Sequence, residues 1–369
     1  MKIAFDQQVF LLQQYGGISR YFCSLVSRLA DLPGIEAEVF APLHFNFGLE
    51  SVGPSPGTRH RLPEVNTKIF RAVSAVSKYW ARAQINHFKP DILHETYFSS
   101  DSYLPRGAKR VLTVYDMIFE RFADGQKGPN QTAEAKRVAV QRADHIICIS
   151  ESTQRDLIEF LSVPEEKTSV VYLSVDDEFK QVDDGAEIPA QVKKPYLLFV
   201  GSRGGYKNFL PFLDSFSRSS DLRKNFSIVC FGGGAVNVEE QTAMSALHLN
   251  GGQISQVSGD DRKLADYYRN AACLVYPSLY EGFGIPPLEA MACACPVICS
   301  HTSSLPEVVG DAGVYVDPTN IDAMTHAIER VVTDSSGRDE LIAKGKAQVE
   351  KFSWRRCAVE TAEIYRGLL

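Results

Sequence analysis

Little in the sequence is expected to carry the chain out of the cytoplasm or across a membrane. Its N-terminus, MKIAFDQQVF, carries Asp6 and two glutamines where a signal peptide would hold an apolar core. No apolar run approaches the ~20 residues of a bilayer span, so a cytoplasmic location is expected. An excess of basic charge is also missing: the net charge is -6 and the pI about 5.8. That excludes a general nucleic-acid binder, which needs a basic surface to displace phosphate counterions. Eight cysteines are present, but none form a CxxC pair. Cys293, Cys295, Cys299 and His301 crowd together without the spacing of a zinc finger or ribbon, so no metal site is expected. Several of the eight lie in apolar runs such as HIICIS and CPVICS, where a thiol in a reducing compartment serves as a small hydrophobe. No GxGxxG follows the first strand, which argues against a plain Rossmann dehydrogenase.

What is there is an alternation. The length of 369 residues suits two domains. Short apolar strands are expected at 2–5, 38–41, 91–94, 110–114, 145–149 and 169–172, with helices at 18–30, 65–88, 131–142 and 151–161. Segments apolar on both faces, such as HIICI, suit a parallel sheet covered on both sides. Residues 175–194 break the pattern with acidic, Gly- and Pro-punctuated sequence. Alternation restarts with strands at 196–200, 226–231, 252–256, 272–276 and 296–299, and helices at 208–219, 238–247, 262–270, 287–294 and from 321 onward. The expected fold class is therefore α/β: two doubly wound, Rossmann-like domains over 1–175 and 195–350, a linker at 176–194, and a terminal helix at 351–369. Two such domains facing each other make a central cleft, and ligands bind beyond the carboxyl ends of the strands.

The chemistry concentrates in PSLYEGFGIPPLEAMACACPVICS, residues 277–300. A strand ends, the loop Glu281-Gly282-Phe283-Gly284 follows, and Pro286 and Pro287 sit where a helix would start. Glu289 is placed in that first turn. Loop amides feeding a helix N-terminus bind anions and hydroxyls. Carboxylates such as Glu281 and Glu289 accept paired hydrogen bonds from the vicinal diols of sugars and riboses. In LLFVGSRGGYKNF, residues 197–209, a strand opens into a loop carrying Ser202, Arg203 and Lys207. A lysine there can neutralise phosphate. Gly16-Gly17 precede a helix, a pairing that by itself marks only a turn. Asp116 ends one strand, as a cap or as a group that orients an acceptor hydroxyl. His94-Glu95 end another, where a lone histidine serves packing more often than catalysis.

Taken together, residues 277–300 resemble the EGFG-x-P-x-x-E signature of retaining GT-B glycosyltransferases, the family-four group that includes many bacterial mannosyl- and glucosyltransferases. Residues 201–208 resemble the family's G-R-x-x-x-x-K-[GN] loop, 13–22 its G-G-[IV]-x-R-Y loop, and 111–122 its T-[VI]-H-D-[LM] segment. Echoes at 147–157, 258–278, 303–318 and the final helix extend the resemblance over nearly the whole chain. It implies that Glu289 holds the donor ribose, that Glu281 lies beside the donor sugar, and that the amides of Phe283, Gly284 and Ile285 bind sugar hydroxyls. It further implies that Lys207 and Arg203 grip the donor diphosphate, with Ser202 at the usual arginine position, and that Gly17 lets backbone approach the same group. Asp116 matches the family's aspartate, while Tyr115 replaces its histidine and Ala294 a common glycine. The first domain would take the acceptor, with His94, Glu95 and Asp116 as candidates, and the second the nucleotide sugar.

The function implied is metal-independent, retaining transfer of a hexose from a nucleotide-diphosphate sugar, GDP-mannose by lean. The acceptor would be a glycan or lipid-linked molecule of a cell-surface polysaccharide such as lipopolysaccharide. No cofactor beyond that donor is implied. No Asp-x-Asp motif of the metal-holding kind occurs. A non-catalytic nucleotide-sugar-binding subunit and a GT-B-like epimerase are the alternatives. Residues 59–89 add seven basic residues against Glu64 alone. At ~100° per residue Ile69, Val73, Val76 and Trp80 form one stripe, expected to pack, and Lys68, Arg71, Lys78 and Arg82 the opposite face. That face is either simply solvated or docks on an anionic membrane.

Overall fold

The computed structural model describes residues 1–52, 59–122, 130–181, 195–249 and 252–369. The chain forms two compact units, Met1–Leu173 with Ser353–Leu369, and Ser174–Phe352. Of the linker expected at 176–194, residues 182–194 lie outside the described set. The described part is structured: Asp177–Lys180 is a helical turn that buries Phe179 against Tyr268 of the second unit, ring centroids 6.1 Å apart. A single apolar residue in DDEFK is enough to draw that turn onto the core.

The first unit holds a six-stranded parallel sheet in the spatial order Glu36–Val39, Lys2–Phe5, Ile92–Glu95, Lys109–Val114, His145–Cys148 and Thr168–Val170. Its central strands are buried on both faces because helices cover both, while the edge strand Glu36–Val39 exposes Glu36. The helix Gly17–Ala30 buries Tyr21, Phe22, Leu25, Val26 and Leu29 at helical spacing. The terminal helix Trp354–Gly367 belongs to this unit and packs on that one, with Trp354 6.2 Å from Tyr21 ring to ring. Leu43–His44 and His60–Arg61 pair as a small second sheet.

The second unit repeats the plan. Its parallel sheet runs Ile254–Val257, Ser227–Phe231, Tyr196–Val200, Cys273–Tyr276, Val297–Ser300 and Gly313–Val316. The helix Phe209–Arg218 lays Phe209, Phe212, Leu213 and Phe216 on Phe199, Ile228 and Ile328. Each buried side chain of that size contributes about 1.5–3 kcal/mol. Chain order reverses between Tyr196–Val200 and Cys273–Tyr276, and a crevice opens beyond the carboxyl ends of strands at such a point.

The helix expected at 65–88 forms as Thr67–Phe88, capped by the Asn66 side chain, which accepts from the amides of Lys68 and Ile69. Its expected packing face is corrected. Ser77, Ala81, Ile85 and Phe88 are buried, whereas Ile69, Val76, Tyr79 and Trp80 are exposed at 48%, 55%, 65% and 38%. The small residues let the helix lie close, with Ser77 bonded to the Leu43 carbonyl, and that turns the larger stripe outward. Lys78 and Arg82 are held by Asp101.

Candidate functional site

Three loops of the second unit converge at its switch point. The strand Tyr196–Val200 ends at Gly201, whose φ of 107° favours glycine. A 3-10 turn, Gly205–Lys207, leads to Asn208, which is held in the left-handed region while its side-chain amide donates to the Pro318 carbonyl at 2.7 Å. The Leu279 amide donates to the Tyr206 carbonyl, so the loop after Cys273–Tyr276 is tied to this one. Between them the Lys207 ammonium donates to Glu281 Oε1 at 2.7 Å and to Tyr276 Oη at 2.9 Å. The two charged side chains are 12% and 10% exposed. Nothing in the spacing of residues 207, 276 and 281 announced Tyr276 as a partner; only the adjacency of the two strands brings it in.

The loop 281–284 is fixed from behind. The Glu281 amide donates to Ser303 Oγ at 2.9 Å, and the Ser304 hydroxyl lies 2.9 Å from the Glu281 carbonyl and 2.7 Å from that of Phe283. A trans peptide sets its N–H opposite its C=O, so the Gly282 and Gly284 amides are turned away from Ser304. Gly284 has φ 116°, and a Cβ there would sit 2.9 Å from Leu305. The helix begins at Ile285 with Gly284 as its cap, two residues before the expected start. Glu289 therefore belongs to its second turn, not its first. It is 2% exposed and accepts from the Tyr268 hydroxyl at 3.0 Å; burial, and then the Glu289 carboxylate, push that phenol well above its usual range. Pro286 and Pro287 carry no N–H, so the amides of Gly284 and Ile285 are the donors at this helix entry.

Arg203 requires a correction. Its guanidinium does not face outward to grip a diphosphate. It is 4% exposed, donates to Glu240 Oε1 at 3.0 Å, and meets the carbonyls of Gly232, Gly234 and Ala235 at 3.1, 2.9 and 3.0 Å. Gly232, Gly233 and Gly234 all have positive φ, and the turn they make brings the carbonyls of Gly232, Gly234 and Ala235 onto the guanidinium. Ser202 is exposed beside it.

In the first unit Asp116 lies two residues past the strand Lys109–Val114, its side chain 30% exposed and accepting from the Ile118 amide at 3.1 Å. Tyr115 is buried and donates to the Thr96 carbonyl. Lys136, fully buried, donates to the Asp116 carbonyl at 2.9 Å and to Glu120 at 2.7 Å, and so clamps this segment from below. Its signal was faint: a lysine three and four residues before Ala139 and Val140, on the face that packs. Gly17 opens the helix Gly17–Ala30, and a Cβ there would meet nothing within 4 Å.

His94 and Glu95 do not present themselves to an acceptor. His94 is fully buried, 2.5 Å from Tyr365 Oη through Nδ1 and 2.9 Å from Thr113 Oγ1 through Nε2; burial lowers its pKa to about 3 and keeps it neutral. Glu95 is held by both Nη2 bonds of Arg142 at 2.8 Å and by Arg110. Desolvation raises it to about 7 in spite of those cations. Both belong to the interior of the sheet.

All eight cysteines are free and buried, and burial pushes the Cys293 thiol up to about 12. Among the described residues no group of three or more His, Cys, Asp or Glu could hold a metal ion. Among them, too, no helix is long and apolar enough to cross a membrane.

The chain matches two family models: Glycosyltransferase Family 4 over residues 15–179 and Glycosyl transferases group 1 over residues 183–348. It is 27% identical to O-antigen chain mannosyltransferase B of Escherichia coli, over 95% of this chain and 96% of that protein. It is 29% identical to the serotype-specific mannosyltransferase WbdA of Escherichia coli over 77% of this chain, which spans only 38% of that protein. Among solved structures, Anabaena Alr3699/HepE in complex with UDP and glucose superimposes with a TM-score of 0.74, covering 99% of each chain at 15% identity. Both Rossmann-like units of the present chain therefore have the GT-B architecture.

Proposed function

We propose, from the premise that the chain belongs to the family-4 type GT-B glycosyltransferases, that it moves a hexose from a nucleoside-diphosphate sugar to a glycan or lipid-linked acceptor with retention. The observation that carries this is the Lys207–Glu281–Tyr276 cluster beside a glycine-capped helix entry at the switch point of the second unit. Departure of a nucleoside diphosphate gathers negative charge on phosphate and positive charge on the anomeric carbon. Lys207 answers the first and Glu281 the second, and both are set before the donor arrives. Glu289 is assigned to the ribose hydroxyls, the amides of Phe283, Gly284 and Ile285 to the sugar, Ser202 to the diphosphate, and Asp116 to the acceptor hydroxyl. Arg203 is assigned to bracing the loop rather than to the ligand. A lysine and helix-entry amides in place of a divalent ion make the reaction metal-independent. The names of the Escherichia coli relatives favour mannose and an O-antigen chain as the product; GDP-mannose as donor, polysaccharide or lipopolysaccharide synthesis and a cytoplasmic setting complete the proposal.

A melting panel with UDP-, GDP- and ADP-sugars tests the donor. A ligand at 1,000 times its Kd stabilises the fold by about 4 kcal/mol, so one nucleotide class should raise the melting temperature by several degrees. Glu289→Gln keeps the side chain's volume and its bond from Tyr268 but removes the charge that two ribose hydroxyls would share. The expected result is a donor Kd about tenfold or more higher with kcat at saturation much less changed. No nucleotide sugar shifting the wild type would end the reading. A donor that shifts it without transfer to any acceptor would favour a binding subunit.

The outward face of Thr67–Phe88 supports peripheral membrane contact. Ile69, Val76, Tyr79 and Trp80 are exposed together, with Lys68 and Arg71 exposed at the margins. Apolar groups flanked by basic ones suit an anionic bilayer surface. Flotation with vesicles containing phosphatidylglycerol should carry the wild type and lose it on Val76→Asp/Trp80→Asp, and weaken in high salt. Flotation indifferent to both would remove the proposal.

A further inference from the structure

An exposed aromatic stack in the first unit is not among the donor contacts assigned above. After the helix Gln8–Leu12 the chain turns through residues 13–16 before Gly17–Ala30 begins. The turn is stitched to the segment around Asn46. The Asn46 amide donates to the carbonyls of Gln13 and Gln14 at 2.8 and 3.2 Å, and the Phe47 amide donates to that of Gln14 at 3.1 Å. Asn46 is itself 1% exposed. Gln13 Oε1 accepts from the Ser19 amide at 3.0 Å, which pins the turn to the helix behind it. The result is a rigid bracket that holds Tyr15 flat on Phe47, centroids 4.6 Å apart and rings within 6° of parallel. The Arg61 guanidinium lies 4.3 Å over the Phe47 ring. It cannot share the face Tyr15 covers, so Phe47 is sandwiched. Arg61 is fixed in turn by Glu50 at 3.1 Å. Tyr15 is nonetheless 75% exposed, with one ring face covered and the other open to solvent.

A large aromatic held rigid but left bare is not there for the core, because the stack buries little of it. Its preorganisation removes the ordering cost that a flexible side chain would meet on binding. One open ring face beside a phenolic hydroxyl suits a partner with a flat C–H face and hydroxyl edges, which is a pyranose. The stack stands next to Gly16-Gly17, past the carboxyl end of Lys2–Phe5, in the unit that carries Asp116. We infer that Tyr15, backed by Phe47 and Arg61, is a stacking platform for a sugar ring of the acceptor glycan. The assignment of that saccharide as acceptor rests on the transferase reading; the binding of a saccharide there does not.

The test uses the full chain without nucleotide. Saturation-transfer NMR is run with trisaccharides of α-linked mannose, of glucose and of galactose. At least one should receive saturation on its ring C–H protons from the wild type. Tyr15→Ala should lose that signal, and Tyr15→Trp should keep it. With donor present, the acceptor KM should rise about tenfold in Tyr15→Ala, while the melting shift given by nucleotide sugar stays as in the wild type. Absence of saturation for all three sugars, or equal saturation in Tyr15→Ala, overturns the platform. A Tyr15→Ala effect on the donor melting shift would make the ring a nucleobase contact, and one on vesicle flotation a membrane contact; either overturns it as well. Loss of the donor shift in the wild type would instead strike the transferase reading and leave the saccharide result standing.

Discussion

Lys207→Ala is expected to lower kcat by about 10²–10³ with the fold intact, the range found when one preset donor to a developing negative charge is removed. The argument starts from the pair. Lys207 and Glu281 are nearly buried and 2.7 Å apart, so the lysine has two duties that one substitution confounds. It holds the carboxylate in place, and it offers charge to a departing phosphate. Truncation leaves Glu281 with an unanswered buried charge, which costs about 1–3 kcal/mol. A double variant separates the duties. In Lys207→Met/Glu281→Gln no charge is stranded, so stability by chemical denaturation should return close to that of the wild type. Turnover should not return, because both the cation for the departing phosphate and the carboxylate assigned to the anomeric carbon are missing. Wild-type transfer rates in Lys207→Ala would remove the leaving-group role altogether. Recovery of turnover together with stability in the double variant would reduce Lys207 to a structural ion pair.

The fold was legible where elements are long and repetitive. Both parallel sheets follow from apolar runs such as those at 145–148 and 196–200, which admit no exposed face. The strand Gly313–Val316 was not legible: it is four residues long, three of them half-buried, and it opens on a glycine that packs against Val309 and Cys299. Nor was the two-residue pairing of Leu43–His44 with His60–Arg61, which no periodicity can mark. The site divides in the same way. Loops joined by motif, 281–289 and 201–207, could be read as a unit. Their partners Tyr276, Ser303, Ser304 and Tyr268 come from another strand, another turn and another helix, and only the packing of the sheet brings them near. His94 and Glu95 misled because strand ends look alike in sequence. Whether such an end opens to solvent depends on Tyr365, Arg142 and Arg110, the first of them 271 residues away. The stripe of Thr67–Phe88 misled for a related reason. Periodicity finds the larger residues, while the close approach of Ser77 and Ala81 chose the buried side.

Arg203→Ala should be the most destabilising single change in the second unit's site, costing about 3–5 kcal/mol, or a fall in melting temperature of about 10 °C. The side chain is 2% exposed and its partner Glu240 5%. Glu240 is doubly committed: Oε1 takes the guanidinium, and Oε2 accepts from the Asn237 amide at 2.9 Å in a capping box that starts the helix Val238–Ala246. Removing the arginine strands that carboxylate and three loop carbonyls at once, and nothing else can fill the space with donors in a planar fork. Arg203→Lys should rescue little, since one ammonium cannot serve a carboxylate and the carbonyls of Gly232, Gly234 and Ala235 together. The two possible roles then predict opposite patterns. A diphosphate grip would give a large loss of donor affinity at unchanged stability. A brace gives the reverse, with donor affinity falling only as far as the loop loosens. Arg203→Ala/Glu240→Gln adds the deciding term: with the stranded charge gone, a bracing role requires that a good part of the lost stability come back, whereas a phosphate contact has no reason to respond to residue 240.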